Sequence, residues 1–324
     1  MMAQNSGHRI VATAPIDQCA VEILERVAPV EIAPAPDEGV VTGMLDGTIA
    51  IVCRGEGKVT GRMISACPTL RVIGRPGAGF DAVDVGAATT RKIPVVYAPV
   101  GGFAVAEGAL ALLLALVKKI VLADSLVKTG QWNKRYEILT GDMTGRTLGI
   151  IGLGRIGSHL AKLARSFDMT VLGYDPFVTR TDVETVSLDE LLARADFISL
   201  HVPLHEQTRG LINREHIARM KRGAILINTA RGGVLESLDV LADALESGQL
   251  GGVGLDVFPA EPPDCSHRIF RQPNVLCAPH LLGVSQLAMD RIFRSMATDM
   301  VAVLDGRLPK FCVNPEVLQP PHAI

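Results

Sequence analysis

A chain of 324 residues is long enough for two domains rather than one. Its 48% apolar content excludes disorder, and 4% aromatic content beside abundant Ala, Val, Leu, Ile and Gly favours parallel α/β domains over an all-β sandwich. A formal charge of −2 without a long basic run makes nucleic acid a poor partner. The six cysteines (Cys19, Cys53, Cys67, Cys265, Cys277, Cys312) form no C-x-x-C pair and read as reduced, mostly buried thiols of a cytoplasmic protein. The start, M-M-A-Q-N-S-G-H-R-I, has no apolar stretch of the kind a signal peptide needs. The longest apolar run, 108–117, is about half the ~20 residues of a membrane span and reads as a buried helix.

In chain order, β-like runs fall at 9–14, 48–53, 70–74 and 93–98, with Cys19, Ala20, Ile23, Leu24 and Val27 at helical spacing between the first two. Short strand–helix–strand units imply parallel pairing with right-handed crossovers, hence a doubly wound domain. After Pro99-Val100-Gly101-Gly102 a long helical stretch runs to about Lys128, too apolar for a surface helix; it reads as a domain connector and dimer contact. A second series of strands follows at 147–152, 170–174, 197–201, 224–228, 252–257 and 274–278. The last helix, about 284–305, returns to the first domain and makes it discontinuous: 1–100 with 287–324, around a cofactor domain at 101–286.

I-I-G-L-G-R-I-G (150–157) sits after a strand and opens a helix, where a phosphate loop must sit. Gly152 permits the turn, Gly154 lets backbone approach a pyrophosphate, and Gly157 allows close helix–strand packing. The helix N-terminus offers N–H groups and a positive dipole end to phosphates. Such glycines also mark ordinary turns. Asp175, 18 residues past Gly157 at the next strand end, suits the adenosine ribose hydroxyls and would repel a 2′-phosphate, which favours NAD over NADP. Its alternative is a plain turn aspartate before Pro176.

Three more strand ends carry polar groups: Arg231 after A-I-L-I-N-T-A, Asp256 and Glu261 in G-L-D-V-F-P-A-E-P-P, and His280 in C-A-P-H. Hydride transfer to a 2-oxo acid needs a guanidinium for the carboxylate and a proton donor for the carbonyl oxygen, kept charged by a neighbouring carboxylate. Arg231, His280 and Glu261 supply these. Singly, His280 reads as a structural residue, Arg231 as a partner of Glu236, and Glu261 as a solvated loop residue. Their joint placement after three strands of one sheet favours the functional reading.

These stretches resemble the D-isomer-specific 2-hydroxyacid dehydrogenase family, which includes D-3-phosphoglycerate dehydrogenase and glyoxylate/hydroxypyruvate reductases. The matching runs are R-P-G-A-G-F-D-A-V-D (75–84), V-A-E (105–107), 139–157, H-V-P-L (201–204), T-R-G-L-I-N (208–213), N-T-A-R-G-G (228–233) and L-D-V-F-P-A-E-P (255–262). The resemblance implies a flavodoxin-like substrate domain and a Rossmann cofactor domain with the active site in the cleft between them. It implies Arg231, Glu261 and His280 as the catalytic set. Cofactor contacts follow at Gly152, Gly154, Arg155, Ile156, Gly157, Asp175, Pro176, His201, Val202, Pro203, Thr208, Thr229, Ala230, Arg231, His280 and Gly283, with Asp256 on the nicotinamide carboxamide. Gly77, Ala78 and Gly79 would offer N–H groups to the substrate carboxylate, with Arg75 nearby; in the bland reading the two glycines only turn the chain. Arg75 mildly favours a second anionic group on the substrate, its alternative being a surface arginine answering Asp81 or Asp84. The family also implies a homodimer joined through the cofactor domains.

Two departures stand out. The stretch before V-A-E, G-G-F-A, looks one residue short, and Leu282 stands where a small residue normally follows the catalytic histidine. Both put substrate identity in doubt, because Leu282 would narrow the pocket or the backbone would differ. The chain stops soon after V-N-P-E-V (313–317), so the regulatory domain of some phosphoglycerate dehydrogenases is not expected.

A rival reading is an NAD(H)-sensing binding protein or corepressor on the same fold, since fold does not settle function. The intact Arg–Glu–His set argues against it. A hydrolase built on Cys277 and His280 lacks an oxyanion-hole motif, and Cys277 reads as a small core residue. His201 and His205 lack the helix a zinc pair would need, so no metal is expected.

Overall fold

The computed structural model describes residues 7–178 and 182–318; residues 1–6, part of the stretch read for a signal peptide, and 319–324, the chain end, lie outside these. The chain divides into two compact units, Met1–Gly101 with Ser285–Ile324, and Gly102–Val284.

In the first unit, strands β1 (Arg9–Ala12), β2 (Val30–Ile32), β3 (Thr48–Val52), β4 (Val72–Arg75) and β5 (Val95–Tyr97) form an all-parallel sheet in the order β2-β1-β3-β4-β5. This is one of the two common doubly wound orders. The T-I-A-I-V run of β3 is buried at every position, as a central parallel strand must be. Polar residues start the covering helices: Asp17 accepts from the Cys19 N–H ahead of Gln18–Leu24, and Asp84 accepts from the Ala87 N–H ahead of Val85–Thr90. The long helix Gln286–Leu304, capped by Ser285, packs on Gln18–Leu24 and on β4. Gly74 admits it, because a Cβ there would lie 2.2 Å from Met300 Sδ.

The second unit holds β6 (Thr147–Ile151), β7 (Thr170–Tyr174), β8 (Glu184–Thr185), β9 (Phe197–Leu200), β10 (Ala224–Asn228), β11 (Leu250–Leu255) and β12 (Val275–Cys277), all parallel in the order β12-β11-β10-β9-β6-β7-β8. Renumbered from β6, this is the Rossmann order with one further edge strand. The strand order reverses at the β6–β9 boundary, so ligands are expected outside the carboxyl ends there. Two parallel-sheet α/β units are what the alternating runs imply.

The structure corrects the sequence reading in places. Strands β2 and β8 were not expected; V-E-I is short and partly exposed, and E-T is exposed throughout. The long helix is two, Gly102–Val117 and Ile120–Lys128, because Lys119 turns left-handed at φ 52°. All six cysteines are free, but only Cys19, Cys53 and Cys67 are buried; Cys277 is exposed rather than a core residue. Among the described residues no helix is long and apolar enough to cross a membrane.

Candidate active site

The N-T-A-R-G-G run leaves β10 at Asn228, which is fully buried. Its Oδ1 accepts from the Ala230 N–H at 3.0 Å, and its Nδ2 donates to the Arg231 carbonyl at 2.9 Å. These bonds fold the backbone into a compact turn that presents Arg231 just past the carboxyl end of β10. Gly232 follows because nothing larger fits: a Cβ there would lie 1.9 Å from the Phe258 carbonyl carbon. That close approach ties the Arg231 turn to the loop after β11. The Arg231 guanidinium donates to the Ala230 carbonyl at 2.8 Å. Glu236, its alternative partner on sequence grounds, accepts from the Arg214 N–H at 3.0 Å.

After β11, Glu261 reaches back so that its Oε1 accepts from the Phe258 N–H at 3.0 Å. Its Oε2 lies 2.8 Å from His280 Nδ1. His280 itself is left-handed, φ 53°, a conformation that costs a non-glycine residue about 1–2 kcal/mol and needs support. The support is Asp256, which is 3% exposed. Its carbonyl accepts from the His280 N–H at 2.8 Å, and its carboxylate accepts from the N–H groups of Leu281 (2.8 Å) and Leu282 (3.2 Å). Burial raises the Asp256 carboxyl above its ordinary range, against the two N–H donors that favour its charge. Asp256 therefore holds the histidine turn, a role the sequence did not reveal because its partners stand 25 and 26 residues away.

At the carboxyl end of β6, Gly152 turns at φ 98°, and a Cβ there would lie 2.5 Å from the His201 carbonyl oxygen. Gly157 meets the Gly152 carbonyl, 2.0 Å from where its Cβ would be, while nothing lies within 4 Å of a Cβ at Gly154. Two glycines thus serve packing and the middle one leaves an open face at the start of the helix Arg155–Arg165, whose cap Gly154 has no side chain to fill it. The Asp175 carboxylate is fixed between two backbone segments. Its Oδ2 accepts from the Leu153 N–H of the glycine loop at 2.9 Å, and its Oδ1 accepts from the Phe177 and Val178 N–H groups across Pro176. The bonds to Phe177 and Val178 are those of the turn aspartate that the sequence offered as the alternative, and the bond to Leu153 ties the same carboxylate to the glycine loop.

The other expected cofactor positions are distributed over neighbouring strand ends. His201-Val202-Pro203 follows β9 and Thr229-Ala230 follows β10. Thr229 Oγ1 and His201 Nδ1 are buried without a hydrogen-bond partner, whereas His201 Nε2 lies 2.8 Å from Ser199 Oγ. Burial pushes the His201 imidazole down to about 3. Thr208 turns its hydroxyl onto its own loop, donating to the Pro203 carbonyl at 2.6 Å and accepting from the His205 N–H at 2.9 Å. Gly283 packs on Val105, 3.0 Å from its would-be Cβ. Leu282 does not stand free: it packs against Gly108 in the helix Gly102–Val117. Open backbone at Gly154, an uncapped helix start and the orphaned Thr229 hydroxyl form a set that fits a dinucleotide. Among the described residues no His/Cys/Asp/Glu group is arranged to hold a metal ion.

In the first unit, taken by itself, Gly77 turns at φ 101° and its carbonyl accepts from the Ala98 N–H at 2.9 Å. Arg75 donates from Nε to the Gly79 carbonyl and from Nη1 to the Cys53 carbonyl, both at 3.0 Å. Asp84, one of its alternative partners, accepts from the Ala87 N–H.

A Rossmann sheet with a histidine–carboxylate pair at its strand ends and a cradle for a dinucleotide defines an NAD-dependent oxidoreductase. Residues 110–281 match the family described as "D-isomer specific 2-hydroxyacid dehydrogenase, NAD binding domain". Over 83% of its length the chain is 42% identical to a glyoxylate reductase of Thermofilum pendens, covering 82% of that protein. Over 94% of its length it is 38% identical to a D-3-phosphoglycerate dehydrogenase of Methanocaldococcus jannaschii, of which it spans 59%. A D-lactate dehydrogenase of Aquifex aeolicus, solved with NAD and lactic acid, superposes with a TM-score of 0.86 at 32% identity, over 95% of this chain and 99% of that one. The chain belongs to the D-isomer-specific 2-hydroxyacid dehydrogenase family.

Proposed function

We propose that the protein interconverts a small 2-oxo acid and its D-2-hydroxy acid, of the glyoxylate/hydroxypyruvate or phosphoglycerate type. The observation that carries this reading is the 2.8 Å contact between His280 Nδ1 and Glu261 Oε2 at the strand ends that also present Arg231. With Nδ1 held by the carboxylate, Nε2 is the ring atom that gives a proton to the substrate carbonyl oxygen, or takes one from the hydroxyl in the reverse direction. Arg231 receives the substrate carboxylate, for which its planar fork is suited. Bound on the glycine loop and strand ends, NAD(H) supplies or accepts the hydride. Gly152, Gly154, Arg155, Ile156 and Gly157 would hold its phosphates, Asp175 its adenosine ribose, and Thr229 with the neighbouring strand ends its nicotinamide side.

Asp175, pinned beside the loop, supports a preference for NADH over NADPH, since a 2′-phosphate would meet a carboxylate. In the first unit the Gly77, Ala78 and Gly79 N–H groups are proposed to bind a carboxylate, with Arg75 holding their turn in shape through the Gly79 carbonyl. A homodimer through the second unit is supported by the apolar surface after Lys119, where Val121, Trp132, Tyr136 and Leu139 are all more than half exposed. Six free cysteines suit a cytoplasmic protein.

NADH oxidation measured against a panel of 2-oxo acids, phosphorylated and not, with NADPH in parallel, tests the reading. Saturable turnover on a panel member, faster with NADH, is expected. NADH binding without turnover on any member would overturn it.

A further inference from the structure

We infer that Leu282 positions His280 by seating against a notch that Gly108 leaves in the helix Gly102–Val117. The inference rests on the proposed role of His280 and concerns how the chain holds that side chain.

A glycine in a helix interior costs about 1 kcal/mol relative to alanine. Gly108 lies in the middle of G-F-A-V-A-E-G-A-L-A-L-L-L-A-L-V, a run dominated by the strong helix formers Ala and Leu, so its presence needs a cause. The cause is the chain two residues beyond His280. A Cβ at Gly108 would lie 2.5 Å from Leu282 Cβ, 3.2 Å from the Leu282 carbonyl oxygen and 3.3 Å from Leu282 Cδ1. The first two of these atoms are fixed by the backbone, so no rotamer change of Leu282 would relieve the clash. One turn earlier on the same helix face, Val105 Cγ2 lies 3.0 Å from where a Gly283 Cβ would be. Two consecutive residues after the histidine are therefore seated on positions 105 and 108.

This seat complements Asp256, which grips the same turn through the Leu281 and Leu282 N–H groups. The carboxylate fixes the backbone, and the leucine side chain packs into the core cluster that contains Ala106, Ala109 and Leu112. A left-handed residue such as His280 persists only where its surroundings over-determine it. The same helix begins at Gly102, 3.1 Å from Ile156 Cγ1 by its would-be Cβ, against the helix that opens at the glycine loop. One rigid element thus bears on both the nucleotide loop and the histidine turn. The two departures from the family pattern, the short G-G stretch and Leu282, meet on that element.

The test compares Gly108→Ala, Leu282→Gly, Leu282→Met and the double variant Gly108→Ala/Leu282→Gly. NADH affinity, read by fluorescence, should stay within twofold of wild type in all four. Gly108→Ala and Leu282→Gly should each lower kcat tenfold or more with little change in KM, and raise the isotope effect with NADH deuterated at C4. Leu282→Met should keep wild-type kcat, and the double variant should recover most of the loss. In parallel, amide hydrogen exchange at residues 280–282 should quicken in each single glycine or alanine variant and slow again in the double. Losses that multiply in the double variant, or single variants that lose thermal stability but keep kcat, would overturn the inference. Unchanged exchange at 280–282 would overturn it whether or not a substrate is found, while absence of turnover in the wild type would overturn only the proposed function.

Discussion

The two units share a parallel, doubly wound sheet but place chemistry at their strand ends differently. In the second unit the groups are side chains, and each is braced: Glu261 by the Phe258 N–H, His280 by Glu261, Arg231 by a turn that Asn228 builds. In the first unit the arginines at the strand ends serve the backbone. Arg75 bonds the Cys53 and Gly79 carbonyls, and Arg54 bonds the Pro15 carbonyl and lies 4.9 Å above the Phe293 ring. What that unit is proposed to offer is main chain, at the Gly77–Gly79 turn. A charge at a strand end is therefore no sign of a site until its partners are known. Arg75 shapes its loop through two carbonyls, whereas His280, held at Nδ1 by Glu261, has its other ring nitrogen for a proton.

The comparison breaks most visibly in the second unit. Glu261→Gln and Arg231→Lys should each lower kcat/KM by about 100-fold, as removal of a positioned acid–base partner or a bidentate carboxylate clamp does. Steady-state kinetics should show the Glu261 loss mainly in kcat and the Arg231 loss also in KM. Asp256→Asn sets an amide N–H against the Leu282 donor that Oδ2 receives, and should destabilise the fold by about 1–3 kcal/mol in urea titrations and lower kcat. In the first unit Gly77→Ala forces a side chain to φ 101°, a strain of about 1–3 kcal/mol. It should raise KM by about tenfold, about 1.4 kcal/mol of lost binding, with little effect on kcat. Asp175→Ser should narrow the NADH/NADPH ratio of kcat/KM by about tenfold through loss of a carboxylate that repels a 2′-phosphate.

A further expected effect concerns pH. Burial holds the His201 imidazole near 3 in the folded chain against an ordinary 6.5, so the unfolded chain binds a proton first as pH falls. Stability is full above about pH 6.5 and declines as pH drops from there towards 3. Urea midpoints followed from pH 7 to pH 4 should fall less steeply in His201→Asn than in wild type.

Most of the sheet framework was legible because parallel strands buried on both faces leave continuous apolar runs such as T-I-A-I-V and A-I-L-I-N. The edges were not. Strands of three and two residues with polar members carry no periodic signal, and the register of a neighbour, rather than their own sequence, recruits them. The break at Lys119 was hidden because apolar spacing resumes at Ile120. The charged groups of the candidate site were readable from residue type and strand-end position. Their braces were not, since Asp256 and Leu282 meet in space through a turn, and Gly108 is explained only by a side chain 174 positions later. Leu282, which on sequence grounds would narrow the pocket or mark a different backbone, packs against a helix notch at Gly108.

The most direct measurement is single-turnover NADH oxidation with a 2-oxo acid from the panel, comparing wild type with His280→Asn at matched, saturating NADH. The account predicts that His280→Asn binds NADH as wild type does but transfers hydride at least about 100-fold more slowly, the contribution of a positioned general acid. Equal single-turnover rates in the two proteins would contradict it and remove His280, with Glu261 behind it, from the chemistry.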